Sequence, residues 1–108
     1  MKALEGKVAL ITGASRGIGQ GIAKAFAAEA ANLALSSRDI ERLNQTAETL
    51  AKEGVEVLVV QADVADEVQV RELFRLTMER FGRLDILVNN AGIFDGGPLD
   101  ELSVEAWD

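Results

Sequence analysis

The chain has no cysteine, no histidine and no tyrosine among its 108 residues. Without cysteine there is no disulfide framework, no thiolate nucleophile and no cysteine metal site. Without histidine and tyrosine the commonest general acid–base side chain and the usual phenolic proton donor are both gone. Carboxylates, lysines and a few hydroxyls remain for proton transfer, and no metal site is expected. Basic residues are also short: 11 Lys and Arg against 18 Asp and Glu give a net charge of −7. A general nucleic-acid binder needs the opposite balance, because its affinity rests on neutralising phosphates. No run approaches the ~18 consecutive apolar residues of a membrane span. The N-terminal "MKALEGK" lacks the apolar stretch of a secretory signal. A cytoplasmic protein with no nucleic-acid or membrane partner is the expectation.

What is present is ordinary for a soluble globular protein: 48% apolar and 27% charged residues. The length bounds the chain to one domain, below the usual size of a complete nucleotide-dependent enzyme. Short apolar runs alternate with amphipathic stretches. "KVALIT" (7–12), "NLALSS" (32–37), "VEVLVVQA" (55–62) and "LDILVNN" (84–90) read as strands, the first with the continuous apolar pattern of a strand covered on both faces. Between them, Ile18, Ile22, Phe26 and Ala30 mark one helical stripe. Asp39 is placed to cap a second helix carrying Ile40, Leu43, Ala47, Leu50 and Ala51, with Gly54 at its C-terminus. Asp66 and Gln69 resemble a capping box for a third, which carries Val70, Leu73, Phe74, Thr77 and Phe81 before Gly82. The order β-α-β-α-β-α-β predicts a parallel sheet with helices on its faces. After the fourth strand comes the polar, glycine-rich "NNAGIFDGGP", and in "LSVEAWD" Ser103 reads as the cap of a helix cut off after it begins.

The glycines of "TGASRGIG" (12–19) sit between a strand and a helix. Such a unit aims backbone N–H groups and the positive end of a helix dipole at one point, which suits a phosphate. Gly13 permits the tight turn, Gly17 lets a pyrophosphate approach the backbone, and Gly19 lets the helix pack closely on the sheet. In the strand order 3-2-1-4 the fourth strand lies beside the first. Its loop "NNAG" (89–92) then opens at the same crevice, the topological switch point where ligands bind.

"TGASRGIG", "ADV" at 62–64 and "LDILVNNAG" at 84–92, in this order and spacing, resemble the short-chain dehydrogenase/reductase family, most nearly its 3-oxoacyl carrier-protein reductase type. The likeness runs from about Lys7 to Asp108. It implies a Rossmann-type doubly wound α/β sheet, of which residues 1–108 form the N-terminal part of a single dinucleotide-binding domain. It implies that Gly13, Ser15, Gly17, Ile18 and Gly19 hold the pyrophosphate and adjoining ribose. Asp63 and Val64 would flank the adenine, and Asn90, Ala91 and Gly92 would line the ribose, with Asn89 tying the loops to the sheet. Read from the residues alone, Asp63 has a second, lesser reading as a strand-end cap.

Enzymes that use NAD place an acidic residue at the end of the second strand, about 20 residues after the glycines, to bond the ribose 2′-hydroxyl. Here Ser37 takes that position, followed by Arg38, with Arg16 inside the glycine loop. Two guanidiniums suit a 2′-phosphate, so NADP is expected over NAD. The family's catalytic Tyr, Lys and Ser cannot be mapped, and no catalytic residue is assigned. The first expectation is therefore the cofactor-binding half of an oxidoreductase that transfers hydride between a nicotinamide cofactor and a small carbonyl or alcohol, the 108-residue chain alone being inactive. The alternative is a stand-alone nucleotide-binding or regulatory module completed by a partner chain. A methyltransferase-type Rossmann fold is disfavoured, lacking both its G-x-G-x-G loop and an acidic residue ending the second strand. With the outer edge of the fourth strand open, the chain is expected to associate into a homo-oligomer.

Overall fold

The computed structural model describes residues 2–90 and, for their backbone, residues 103–106. In chain order the elements are β1 (Val8–Thr12), α1 (Gly17–Ala28), β2 (Asn32–Ser37), α2 (Ile40–Ala51), β3 (Val57–Gln61), α3 (Glu67–Phe81), β4 (Ile86–Asn89) and β5 (Ser103–Ala106). The sheet runs β3-β2-β1-β4-β5. Its first four strands are mutually parallel, as the alternation of apolar runs and helical stripes predicts.

Both faces of the sheet are covered, so its central strands are apolar throughout: all five residues of β1 are buried. One face packs Ala9, Ile11, Leu33, Leu35 and Val88 against Ala23 and Ala27 of α1 and Leu43, Ala47 and Leu50 of α2. The other packs Val8, Leu10, Ala34 and Leu84 against Leu73 of α3. Each fully buried leucine or isoleucine contributes about 1.5–3 kcal/mol of transfer free energy. Local chemistry sets the helix ends. Asp39 caps α2 by accepting from the Arg42 N–H at 3.1 Å. Asp66 caps α3 by accepting from Val68 N–H at 2.9 Å and Gln69 N–H at 3.3 Å. Gly82 ends α3 in the left-handed region at φ 73°.

Two expectations are corrected. The buried row of α1 is Gly19, Ala23 and Ala27, one position on from the expected stripe, and Ile18 is 62% exposed. Small residues let the helix axis approach the sheet, while Ile22 and Phe26 pack along the flank of the core. Ala30 lies beyond the helix in the left-handed region at φ 69°. Second, Ser103 starts a strand, not a helix. Residues 103–106 pair antiparallel with β4, Val88 opposite Val104. The open edge of β4 presents backbone donors and acceptors that need partners, and β5 supplies them. The edge on which self-association was expected is therefore occupied.

The register decides where the site forms. Thr12 stands level with Ser36 on one side and Asn89 on the other. Ser37 stands level with Gln61. The four parallel strands thus end nearly flush, and their following loops gather at one end of the sheet. Because the chain leaves β1 toward β2 and returns to β4, the loops after β1 and β4 diverge and leave a crevice.

Candidate functional site: a crevice at the carboxyl ends of the strands

A cavity of about 580 Å³ occupies that crevice, lined by Gly13, Ser15, Arg16, Ser36, Ser37, Arg38, Asp39, Ala62, Asp63, Val64, Ala65 and Asn90. The first wall is the glycine loop. Gly13 and Gly17 take φ 63° and 61°, conformations that a residue with a Cβ adopts only at a cost. At Gly19 a Cβ would lie 2.2 Å from the Gly13 carbonyl oxygen and 2.7 Å from Asn90 Nδ2. Its absence lets Asn90 Nδ2 donate to Gly13 O at 3.3 Å, joining the loops after β1 and β4. One strand residue earlier, Thr12 Oγ1 donates to Asn89 Oδ1 at 3.2 Å. The tie expected of Asn89 is thus shared between both asparagines.

Helix α1 starts at this loop with Arg16 as its N-cap residue, in extended backbone and with no side-chain cap. Its first-turn N–H groups therefore keep their donor capacity and the positive end of the helix dipole for an anion. The second wall is the end of β2. Ser15 and Ser37 hydroxyls lie 2.9 Å apart, and Ser37 Oγ accepts from the Asp39 N–H at 3.1 Å. Arg38 is held through its backbone, whose carbonyl accepts from Gln61 Nε2 at 3.0 Å, leaving the guanidinium without a carboxylate partner among the described residues. Arg16 Nη2 lies 3.4 Å from Asp39 Oδ2, both side chains exposed. Such a pair contributes at most about 1 kcal/mol and yields to a competing phosphate. At the third wall Asp63 Oδ1 accepts from Ala65 N–H at 2.9 Å and the Asp63 N–H donates to Gln69 Oε1 at 2.8 Å. The strand-end role of Asp63 is therefore real, and Oδ2 stays available to a ligand.

Of the residues read from the sequence, Gly13, Ser15, Arg16, Ser37, Arg38, Asp63, Val64 and Asn90 meet around this one cavity. Gly17, Ile18 and Gly19 form the adjoining start of α1. Ala91 and Gly92 lie outside the described residues. The sequence reading missed Ser36, Ala62 and Ala65 as lining residues, and read Asp39, which also lines the cavity, only as a helix cap. Ser36 Oγ is fully buried and has no hydrogen-bond partner among the described residues. Only the strand register, which sets Ser36 beside Thr12, would have revealed it.

A nicotinamide dinucleotide fits this arrangement. The missing Cβ at Gly19 packs the start of α1 directly onto Gly13 and Asn90 at the crevice, α1 lacks a side-chain cap, and a hydroxyl without a partner among the described residues lies at the wall. No group of three or more His, Cys, Asp or Glu able to hold a metal occurs among the described residues. No helix among them is long and apolar enough to cross a membrane.

The comparisons agree with this geometry. Galactitol 2-dehydrogenase of Agrobacterium fabrum is 44% identical over 105 residues, covering 97% of this chain and 40% of the enzyme. A short chain dehydrogenase of Burkholderia cenocepacia, solved in complex with NADP, superposes with a TM-score of 0.81 at 48% identity, covering 93% of this chain and 41% of that one. A short chain dehydrogenase/reductase of Burkholderia phymatum, solved with NAD, gives 0.80 at 40% identity, covering 86% and 33%. The chain therefore spans well under half the length of these relatives. The short chain dehydrogenase family model matches residues 7–108. A parallel sheet in the order 3-2-1-4, a glycine loop that opens at its switch point and a match over almost the whole length lead to one conclusion: the chain belongs to the short chain dehydrogenase family.

Proposed function

We propose that this chain is the dinucleotide-binding part of an NADP-preferring oxidoreductase acting on a small carbonyl or alcohol. One observation carries the reading: a single cavity runs from the Gly13 loop past Ser37 and Arg38 to Asp63, Val64 and Asn90. The relatives solved with NADP and with NAD support a nicotinamide cofactor. Bound there, the cofactor supplies or accepts a hydride.

The chain's own residues bind and orient. The N–H groups of the glycine loop and of the first turn of α1 take the pyrophosphate. Asp63 Oδ2 accepts from the adenine amine, and Asn90 and Ser15 bound the ribose. Arg38 and Arg16 take the 2′-phosphate, Arg16 by exchanging its exposed contact with Asp39. Ser37 adds a donor without the repulsion a carboxylate would exert. A proton must also be delivered to or from the substrate oxygen, and these 108 residues contain no tyrosine or histidine to do it. The chain alone is expected to turn over no carbonyl substrate with NADPH, followed at the reduced cofactor's absorbance band.

Calorimetric titration with NADP and with NAD tests the binding itself. Arg38→Ala should weaken NADP by about tenfold to a hundredfold, one charge-assisted contact being lost, and leave NAD nearly unchanged. Equal weakening of both cofactors would remove Arg38 from the phosphate site. Failure of the unmodified chain to bind either would overturn the proposal.

A further inference from the structure

We infer that the groove between α1 and α2 is a second oxyanion site, suited to the phosphate group of a small molecule and separate from the dinucleotide crevice. It has a volume of about 360 Å³ and is lined by Gln20, Lys24, Arg42, Gln45, Thr46 and Thr49, none of which borders the first cavity. Two cations and no carboxylate line it, in a chain whose net charge is −7.

The distribution of ion pairs among the arginines singles out Arg42. Among the described residues Arg16, Arg71, Arg75, Arg80 and Arg83 each pair with a carboxylate. Arg38 and Arg42 do not, and each lines a cavity. Lys24, like the other lysines, has no carboxylate partner among the described residues, and it is the lysine that lines the same groove as Arg42. With 18 acidic residues available, leaving two neighbouring cations unpaired sets aside their charge for something outside the chain.

The floor of the groove gives a second, independent sign. Thr46 is 3% exposed, and its Oγ1 accepts from Gln20 Nε2 at 3.1 Å. Held by Gln20 at the floor, the Thr46 hydroxyl keeps its own O–H as a donor toward the groove. An anionic oxygen in the groove can accept from that O–H, a charge-assisted hydrogen bond. Gln20 and Lys24 are one turn apart on α1, as are Arg42 and Thr46 on α2, so a neutral donor and a cation face the groove from each helix. The Arg42 fork matches two phosphate oxygens and Lys24 contributes a point charge. An anionic lipid surface carries the same phosphate chemistry, but the acidic chain is repelled by it over the Debye length. A free phosphate or a small phosphate ester is the better match.

Phosphorus NMR of the chain in excess NADP tests this, with inorganic phosphate as the probe. The spectrum reads both ligands, since the resonances of NADP are distinct from that of inorganic phosphate. The phosphate resonance should broaden with NADP already bound. In Lys24→Gln and in Arg42→Gln the affinity should fall by about tenfold each, with the NADP resonances unaffected. Glutamine keeps the helix propensity of both residues, and the Asp39 cap uses only the Arg42 backbone. Loss of phosphate broadening when NADP is added would assign the anion to the glycine loop and overturn the inference. So would broadening that the two variants leave intact, or none at all. Broadening that depends on Lys24 and Arg42 while NADP fails to bind would uphold the groove and overturn the proposed function. Phosphatidylglycerol vesicles should not co-sediment the chain. Co-sedimentation abolished by Arg42→Gln would move the site to a lipid and overturn the free phosphate.

Discussion

Asp85 lies at the opposite end of the sheet from the crevice, and its removal should be the most damaging single change to the acidic side chains. Its Oδ2 accepts from the Val8 N–H at 2.8 Å, while its own N–H donates to Val8 O at 2.9 Å. The two residues thereby close the start of the β1–β4 ladder. Arg83 grips the same carboxylate with Nε at 2.8 Å and Nη2 at 2.6 Å. In Asp85→Ala the Val8 N–H, in a residue only 2% exposed, loses its acceptor. That orphan costs about 1–3 kcal/mol. The half-exposed Arg83 adds little, its charge being screened by solvent. A loss of about 1–3 kcal/mol corresponds to a fall in Tm of roughly 5–25 °C for a domain of this size.

Asp85→Asn keeps an acceptor and loses only the charge, so it should cost about 1 kcal/mol. The pH dependence has a definite sign. Arg83, with help from the Val8 N–H and Lys7, holds the Asp85 carboxyl below its ordinary value of 3.8. A lowered folded value means that the charge stabilises the fold fully above the ordinary value. That contribution is lost as pH falls through the lowered one. The gap between the unmodified chain and Asp85→Asn should be constant near neutrality and close below about pH 4. Glu72, lowered by its hydrogen bond to Arg75, titrates in both proteins and cancels from the difference. Circular dichroism melts from neutral to acid pH are the assay. An Asp85→Ala protein melting within a couple of degrees of the unmodified chain would refute the reasoning, as would a gap that persists in acid.

Gly19→Ala should abolish dinucleotide binding and destabilise the fold by about 1–3 kcal/mol, because the new Cβ meets backbone at Gly13 that cannot retreat. A nucleotide titration with a parallel melt decides it, and unchanged values in both would contradict the cradle. Ala30→Gly should stabilise by about 0.5–1 kcal/mol in urea unfolding, relief of the left-handed strain outweighing the added freedom of the unfolded chain. Asp39→Asn preserves the α2 cap and frees Arg16, so NADP should bind about two- to fivefold tighter while NAD is unchanged. Equal gains for both cofactors would show that Asp39 does not oppose the 2′-phosphate.

The element order, the helix caps at Asp39 and Asp66 and the glycine loop were legible in the residues alone, since each depends on contacts a few positions apart. Apolar periodicity marks strands and helices, a short carboxylate marks a helix start, and glycines mark backbone that a side chain would obstruct. The strand order 3-2-1-4 was the usual one for a doubly wound sheet of alternating strands and helices, and the sheet has it. What needed the tertiary structure depends on distances between elements far apart in sequence. How closely α1 approaches the sheet moved its buried row from Ile18 and Ile22 to Gly19, Ala23 and Ala27. The open edge of β4 drew residues 103–106 into a strand, because backbone hydrogen bonds across a ladder outrank a local capping preference. The pairing of Asp85 with Val8 spans 77 positions, and no periodicity points to it. The pairing of β1 with β2 set Ser36 beside Thr12 and brought Asp39 to Arg16, and the packing of α1 on α2 brought Lys24 to Arg42. Local chemistry determined which segments form; the spacing between them decided which side chains face one another.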